Sequence, residues 1–343
     1  MPGKLPPVSV VIPVFNDFEN LRHCLDALRH SSVQDFELIV VDDGSVDDSA
    51  RIATEAGAVV LRSERQMGPA AARNLGARSA TAPLLFFLDA DVCVHRDTLG
   101  HAVNELIAQP EVAAVIGSYD DSPSEERFIS QYKNLFHRFV HQTARREAGT
   151  FWTGCGAIRR DVFMVMGGFD TSFKRPSIED IELGVRMVRA GYKIVLCPEM
   201  QVQHRKRWTL LGLIRTDLVD RAIPWTKLIL KSQRMPDDLN LKQSQRVSAG
   251  LTCALIPVLV SAAVLRSLGA VAIAVGMLLA VMALNRDLYR FFAGERGLWF
   301  AIRAIPMHLL YYLYSVLGFV IGLAEHIKRA AASWVDGKSV DAA

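Results

Sequence analysis

From residue 8 to residue 91, short apolar runs alternate with stretches whose apolar residues recur every three to four positions. Val8, Val10, Val11 and Ile12 form a β-branched strand that Pro13 closes. Leu21, Leu25 and Leu28 then follow at i, i+4 and i+7, a helix that Asn16 or Asp17 can cap. Residues 36–41 predict a second strand, 49–56 a helix, and 58–61 a third strand. Residues 68–76 predict a helix opening on Gly68-Pro69, with proline in its favoured first turn. Residues 84–91, entered from Pro83, are an apolar run ending in Asp89 and Asp91, as suits a strand buried on both faces of a parallel sheet. Strict alternation of strand and helix predicts an α/β fold: a right-handed, Rossmann-like, mostly parallel sheet with helices on both faces.

Past Asp91 the pattern gives a helix over 98–108 and a strand over 112–117. An amphipathic segment over 124–147 sets Phe128, Tyr132, Leu135, Phe136 and Phe139 on one face. Lys133, His137, Arg138, His141, Arg145 and Arg146 supply a basic face. Two readings are open: an outer helix packed on the sheet, or a basic helix beside anionic headgroups or a phosphate-bearing acceptor. A helix from residue 178 carries Val185, Met187 and Val188, and residues 192–197 predict a further strand.

The texture changes after Trp208. Residues 209–230 mix leucines and isoleucines with Arg215, Asp217, Asp220 and Arg221, and Pro224-Trp225 is expected to break them into interfacial helices. Residues 236–238 read as a linker. Residues 251–284 are apolar apart from Arg266-Ser267, slightly short for two upright spans, and predict a hairpin turning near residues 266–269. Residues 299–323 form a third candidate, either a span or a re-entrant or interfacial segment, and 326–343 a basic tail. Basic flanks before Leu251 and at Arg286, Arg290 and Arg296 place a cytoplasmic side there. The expected organisation is a catalytic domain over 1–208, interfacial helices and linker over 209–247, and membrane helices over 248–325. A buried helical core of a soluble protein is the competing reading of the apolar stretches.

Composition narrows the function. The net charge of +3 over 343 residues is too small to argue for nucleic acid. No basic, apolar, small-residue leader opens the chain, and five scattered cysteines without a C-x-x-C pair read as core residues in a reducing compartment. No G-x-G-x-x-G follows the first strand, and there is no P-loop.

The acids stand where open α/β sheets bind ligands, at the carboxyl ends of strands. In a straight strand Asp89 and Asp91 would share a face, where two carboxylates can hold a hard cation and through it a diphosphate. Alone, such a D-x-D is equally an ordinary turn. Asp42 and Asp43 end the second strand in the same way, whereas Asp47 and Asp48 can simply cap the next helix. Glu179 and Glu182 likewise suit a first helical turn. Gly154 and Gly156 permit close backbone approach or a turn, and Cys155 reads as packing.

Four segments together resemble the family 2 glycosyltransferases: Pro13-Val14-Phe15-Asn16, Val41-Asp42-Asp43-Gly44-Ser45, Gly68-Pro69-Ala70-Ala71-Ala72-Arg73-Asn74 and Leu88-Asp89-Ala90-Asp91. The resemblance implies the GT-A fold and inverting transfer from a UDP-, GDP- or dTDP-linked sugar. It implies that Pro13, Asp42, Asp43, Arg73 and Asp89 hold the nucleotide sugar, and that Asp91 binds a divalent cation, Mg²⁺ or Mn²⁺. Residues 151–160 and 167–170 resemble the family's acceptor-side loops, so Gly154, Cys155 and Gly156 fall on that side. In the family the Asp of the Glu-Asp pair is the general base, which is Asp180 here, beside Glu179. Processive members carry Q-x-x-R-W where this chain has His204-Arg205-Lys206-Arg207-Trp208, a departure that points away from polymerisation. His204 then either completes the metal site or is structural, Arg207 faces the diphosphate, and Trp208 marks an interface or an acceptor face.

The expected function is non-processive, metal-dependent transfer of a sugar to a lipid or lipid-linked acceptor, by a multi-pass membrane protein with its catalytic domain in the cytoplasm, as in a bacterial inner membrane. A polyprenyl-phosphate acceptor and a non-catalytic nucleotide-binding membrane subunit are the alternatives. A nucleotidyltransferase would leave Glu179-Asp180 and the membrane helices without a role.

Overall fold

The computed structural model describes residues 7–232 and 242–335; the expected linker at 236–238 and the end of the basic tail lie outside them. The chain divides after Trp208 into two compact units.

The first unit runs β1 (Ser9–Val14), α1 (Phe18–Arg29), β2 (Glu37–Asp42), α2 (Ser49–Glu55), β3 (Val59–Arg62), α3 (Pro69–Ser79) and β4 (Leu84–Leu88). It continues through β5 (Val92–Val94), α4 (Thr98–Ala108), β6 (Val112–Tyr119) and α5 (Phe128–Gln142). It closes with β7 (Cys155–Arg159), α6 (Arg160–Val165), α7 (Glu179–Arg189) and β8 (Lys193–His204). The eight strands make one sheet in the order β3-β2-β1-β4-β7-β6-β8-β5. Alternate residues of each strand enter opposite cores: Val10, Ile12, Phe86 and Leu88 pack on one face, Val11, Ile39, Leu85 and Phe87 on the other. Burial on both faces is why these strands read as continuous apolar runs.

The α/β architecture and the parallel first half of the sheet are as expected, since β1, β2, β3 and β4 run parallel. The second half is mixed. β7 lies antiparallel between β4 and β6, and β5 pairs antiparallel with β8. Residues 155–159, expected among loops, are therefore an interior strand. Gly156 is not a turn residue; a Cβ there would come 2.3 Å from the Trp152 carbonyl oxygen and 2.8 Å from the Phe151 ring. The apolar run at 84–91 also differs: the strand stops at Leu88, and Asp89–Asp91 form a turn in which the Val92 N–H donates to the Asp89 carbonyl at 3.1 Å. Asp89 and Asp91 consequently do not share a strand face.

The basic side of α5 serves the sheet. His141 is buried with Nδ1 2.9 Å from the Gly117 carbonyl, Arg138 donates to the Tyr119 carbonyl at 3.3 Å, and Arg146 pairs with Glu105. The outer-helix reading of this segment is the one the contacts support.

The second unit begins with α8 (Leu210–Arg215), a π-helical stretch (Thr216–Ala222) and α9 (Ile223–Ser232), running without interruption. Pro224 does not break them as expected. The wider i→i+5 turns just ahead of it relieve the clash its ring would make in an α-helix. The membrane candidates are α10 (Gln243–Leu265), α11 (Leu268–Leu284), α12 (Arg286–Arg296) and α13 (Leu298–Val335). The hairpin turns at Arg266, which takes a left-handed conformation, and Ser267 Oγ accepts from the Ala270 N–H to cap α11. Gln243–Leu265 and Leu298–Arg329 are long and apolar enough to cross a membrane; α11 and α12 add a third only if the pair, bent by 68°, counts as one span. The third candidate is thus one long helix rather than the shorter segment read at 299–323. Asn285 fixes the bend. It donates to Ser248 Oγ at 3.0 Å and its Oδ1 accepts from Gln245 at 3.0 Å and from the Tyr312 hydroxyl at 2.9 Å. Gly318 and Gly322 let α13 approach its neighbours, since Cβ atoms there would meet Ala222 Cβ at 2.5 Å and Thr226 Cβ at 2.8 Å.

Within the first unit, Gly184 brings α7 against the chain at residues 150–151; a Cβ there would sit 2.1 Å from the Phe151 nitrogen. Gly184→Ala should lower unfolding stability by roughly 1–3 kcal/mol, measured by denaturant titration of the full chain in detergent. An unchanged midpoint would contradict this packing.

Candidate active site at the carboxyl end of the sheet

β1, β2 and β4 end side by side, and the loops that follow them carry the expected donor-side acids. Asp42 is fully buried at the end of β2. Its Oδ1 accepts from the Ser45 N–H at 2.8 Å, and its Oδ2 lies 3.3 Å from Arg62 Nε. Asp43 turns the other way and holds the segment before α3. Its Oδ1 accepts from the Met67 N–H at 2.8 Å and its Oδ2 from the Gly68 N–H at 2.9 Å. Gly68 has φ 95°, and a Cβ there would meet the Lys174 carbonyl oxygen at 2.5 Å, so no other residue fits this entry to the helix. Asn16, itself at φ 50°, stitches the first two loops together: its N–H donates to Ser45 Oγ and its Oδ1 accepts from Val46, both at 2.9 Å. Pro13 lies in β1 opposite Val41.

Arg73, in the second turn of α3, is buried to 4% exposure. Its guanidinium donates to Asp89 Oδ1 at 2.6 Å and to Glu179 Oε1 at 2.8 Å. Burial alone would depress its pKa, but the two carboxylates outweigh burial and raise it. Asn74 beside it donates to the Phe169 carbonyl at 2.8 Å and accepts from the Phe169 N–H at 2.9 Å, tying α3 to the loop ahead of α7.

Asp91 leaves the turn toward the far edge of the sheet, where β5 pairs Val92 with His204. The Arg205 N–H donates to the Asp91 carbonyl at 2.8 Å, and Asp91 Oδ2 faces His204 Nε2 at 3.6 Å. Burial pushes the Asp91 carboxyl up, and His204 with Lys206 overcomes it, holding the group well below the usual carboxylate range. His204 lies flat on Tyr119, ring centroids 4.5 Å apart at 10°. The carboxylate and the ring nitrogen face one another as an ion pair that a shared cation could replace. Among the described residues no group of three or more such donors forms. Asp91 and His204 are the two side chains here that would hold such a cation, with a diphosphate and water to supply the rest.

Asp180 lies in the first turn of α7. Its Oδ2 accepts from the Thr153 N–H at 3.1 Å and hydroxyl at 3.3 Å, and its Oδ1 from the Ile181 N–H at 2.8 Å. Burial, then the charge of Glu179, pushes its carboxyl up to about 6 against the opposing pull of Thr153 and Arg73. Glu179 is buried, with Oε2 accepting from the Ser177 N–H at 2.9 Å. Gly154 is bare because the Trp152 ring occupies the place of its Cβ, and Cys155 is buried in β7, its thiol pKa raised by burial. Arg207 is exposed, 3.9 Å from Glu125. Trp208 is buried rather than presented: its backbone N–H donates to Ser130 Oγ at 2.8 Å, and Lys206 Nζ lies 4.7 Å from its ring centroid.

Residues 9–167 match the profile described as Glycosyl transferase family 2. The chain carries a family 2 glycosyltransferase domain. It is 31% identical over 214 residues to the pre-mycofactocin glycosyltransferase of Mycobacterium tuberculosis, covering 59% of this chain and 43% of that protein. It is 29% identical over 169 residues to an undecaprenyl-phosphate 4-deoxy-4-formamido-L-arabinose transferase of Klebsiella pneumoniae, covering 46% of this chain and 50% of that one. The chain thus spans about half the length of the curated relatives it matches. Among solved structures, a mannosyltransferase from Pyrobaculum calidifontis in complex with GDP-Man and Mn²⁺ superposes with a TM-score of 0.56 at 21% identity, covering 93% of this chain and 88% of the other. That likeness identifies the fold as GT-A.

Two side chains against these residues that the sequence reading did not single out are Tyr119, stacked on His204, and Arg62, 3.3 Å from Asp42. Tyr119 ends a buried parallel strand as Asp42 does, and the rule of reading strand ends would have found it. Arg73→Met should cost about 3–5 kcal/mol of stability by leaving buried carboxylates without their partner, read from urea unfolding of the full chain. A loss below about 1 kcal/mol would mean that the ion pairs are dispensable.

Proposed function

We propose that the protein is a membrane-bound inverting glycosyltransferase that moves a sugar from a nucleotide-sugar donor to a lipid or lipid-linked acceptor, one transfer per binding event. The observation that carries this reading is the pairing of two sites at one end of the sheet. Asp91 with His204 is suited to the diphosphate end of a donor, and Asp180 is a carboxylate tuned toward neutral pH. Arg73 bridges Asp89 on the donor side to Glu179, the neighbour of Asp180. In this reading Asp89 would contact the ribose, and Asp42, fully buried, would act on the nucleotide through the Ser45 loop and Arg62 that it holds. The chain's own steps are few. Asp180 takes the proton of the acceptor hydroxyl, whose oxygen attacks the anomeric carbon from the face opposite the nucleotide, and the bond to the diphosphate breaks as the new glycosidic bond forms. A divalent cation on Asp91 and His204, Mg²⁺ or Mn²⁺, would neutralise the departing diphosphate. The membrane helices of the second unit, with outward leucines and valines such as Leu259, Val264 and Leu268, would keep the domain at the bilayer surface on the cytoplasmic side.

The undecaprenyl-phosphate relative favours a second reading, in which the acceptor is a polyprenyl phosphate. Such an oxygen is already ionised and gives Asp180 no proton to remove.

Three outcomes test the site. Asp180→Asn should lower the transfer rate by about 10²–10⁴ if the acceptor is a hydroxyl, and by far less if it is a phosphate. Because the base must be ionised, the wild-type rate should fall as pH drops through about 6, and a profile flat from pH 8 to 5 would contradict the base assignment. Asp91→Ala should abolish metal-stimulated release of nucleoside diphosphate, screened with UDP-, GDP- and dTDP-sugars; near-normal stimulation would remove Asp91 from the metal site.

A further inference from the structure

The two ends of the hairpin in the second unit differ in chemistry. From Leu268 to Leu284, α11 carries no charged residue. The chain then bends by 68° into α12, where arginines begin at once. α12 is two-faced. Leu288 and Phe292, four apart, are 2% and 0% exposed, while Arg286 and Arg290, also four apart, lie exposed on the other side. The first turn of α10 meets the same bend, because Gln245 bonds Asn285 at 3.0 Å. The residue after each of these is an exposed arginine, Arg246 and Arg286. At this end Arg246, Arg286, Arg290 and Arg296 outnumber the acids Asp287 and Glu295. The opposite end of the hairpin has Arg266 alone. Just past α12, Leu298 and Trp299 are each 70% exposed.

We propose that this end of the hairpin binds the phosphate headgroup of an anionic phospholipid, with Arg286 and Arg290 as its main contacts and Arg246 beside them. The proposal rests on the membrane part of the reading above and adds to it the lipid that the protein selects. The sharp bend turns α12 away from the direction of α11, and a helix with one buried apolar side and one basic side suits the plane of the headgroups. Exposed Trp299 marks the same level, since indole favours the boundary between water and lipid. Arginine also fits a phosphate diester, to which its planar fork can donate two parallel hydrogen bonds. Asp287, 3.3 Å from Arg286, offsets part of the charge, and Arg246 and Arg290 leave the surface positive. A zwitterionic headgroup brings its own cation to such a surface and gains less from it. The buried polar group beneath, Asn285 with Gln245, Ser248 and Tyr312, ties α10, the bend and α13 together, so the arginines stand on a braced junction.

The test titrates the full chain in detergent with dioleoylphosphatidylglycerol or dioleoylphosphatidylcholine and counts bound lipid by native mass spectrometry. The anionic lipid should bind about tenfold more tightly. The double variant Arg286→Gln/Arg290→Gln, which leaves the buried face of α12 alone, should bring that preference to within about twofold. Arg266→Asn removes a charge at the other end, at a left-handed position that asparagine tolerates, and should leave the preference unchanged. In the wild type, raising salt to about 0.5 M should lower the preference severalfold. Equal binding of the two lipids, a preference insensitive to salt, an unaltered double variant, or the same loss in Arg266→Asn would each overturn the proposal. So would displacement of the lipid by millimolar inorganic phosphate, since the site would then be one for free phosphate. Recovery of the wild type as a soluble protein without detergent is a different result: it removes the membrane reading, and this inference with it.

Discussion

A guanidinium almost wholly removed from water is tolerated only where its charge is met in place, and Arg73 is met twice. Asp89 comes from the turn after β4, and Glu179 from the first turn of α7. Two segments far apart in sequence are thus held by one planar fork whose geometry suits carboxylates. The same contact sets the charge around Asp180. Burial first and then Glu179 push that carboxyl up, while the Thr153 N–H and then Arg73 pull it down. Structure and chemistry at this end of the sheet therefore depend on one ion-pair system rather than on separate ones.

Around it, small residues decide how closely segments approach. Gly68 brings the start of α3 under Lys174, Gly184 brings α7 onto residues 150–151, and Gly168 leaves room for the Asn74 amide. Behind them Phe87 is enclosed by Phe151, Phe163 and Phe169, with centroids 6.3, 5.2 and 5.1 Å away, so the support beneath the acids is dense and aromatic. Side chains that meet from different elements need such backing, since slack in any one of them moves Asp89, Asp91 and Asp180 apart.

Local chemistry made part of this legible before any coordinates. β1, β2 and β4 could be read because burial on both faces leaves uninterrupted apolar runs, and the start of α3 because Gly68-Pro69 admits few alternatives. β7 was hidden: Gly156 weakens its strand pattern, and what demands that glycine is the Phe151 ring and the Trp152 carbonyl, contacts no local window reveals. The turn at Asp89–Asp91 was hidden by the hydrophobic run leading into it. The approach of His204 to Asp91 depends on β5 pairing with β8, and the burial of Arg73 on acids from two distant segments. Family resemblance pointed to most of these residues, but which atoms face one another is a tertiary fact.

The insertion of β7 between β4 and β6 bears on how the chain folds as it is made. Strands β1 to β4 emerge early and can pair locally, yet the outer edge of β4 stays open until residues 155–159 arrive to cover it. β5 waits longer still, because its partner β8 is the last strand of the sheet. For that interval a nascent chain presents an apolar strand edge, Leu84 to Leu88, able to pair with other chains. The most apolar helices, from residue 243 on, are synthesised after the whole sheet. A pause in translation between β8 and α10 would give the non-local strands time to close before those apolar helices emerge.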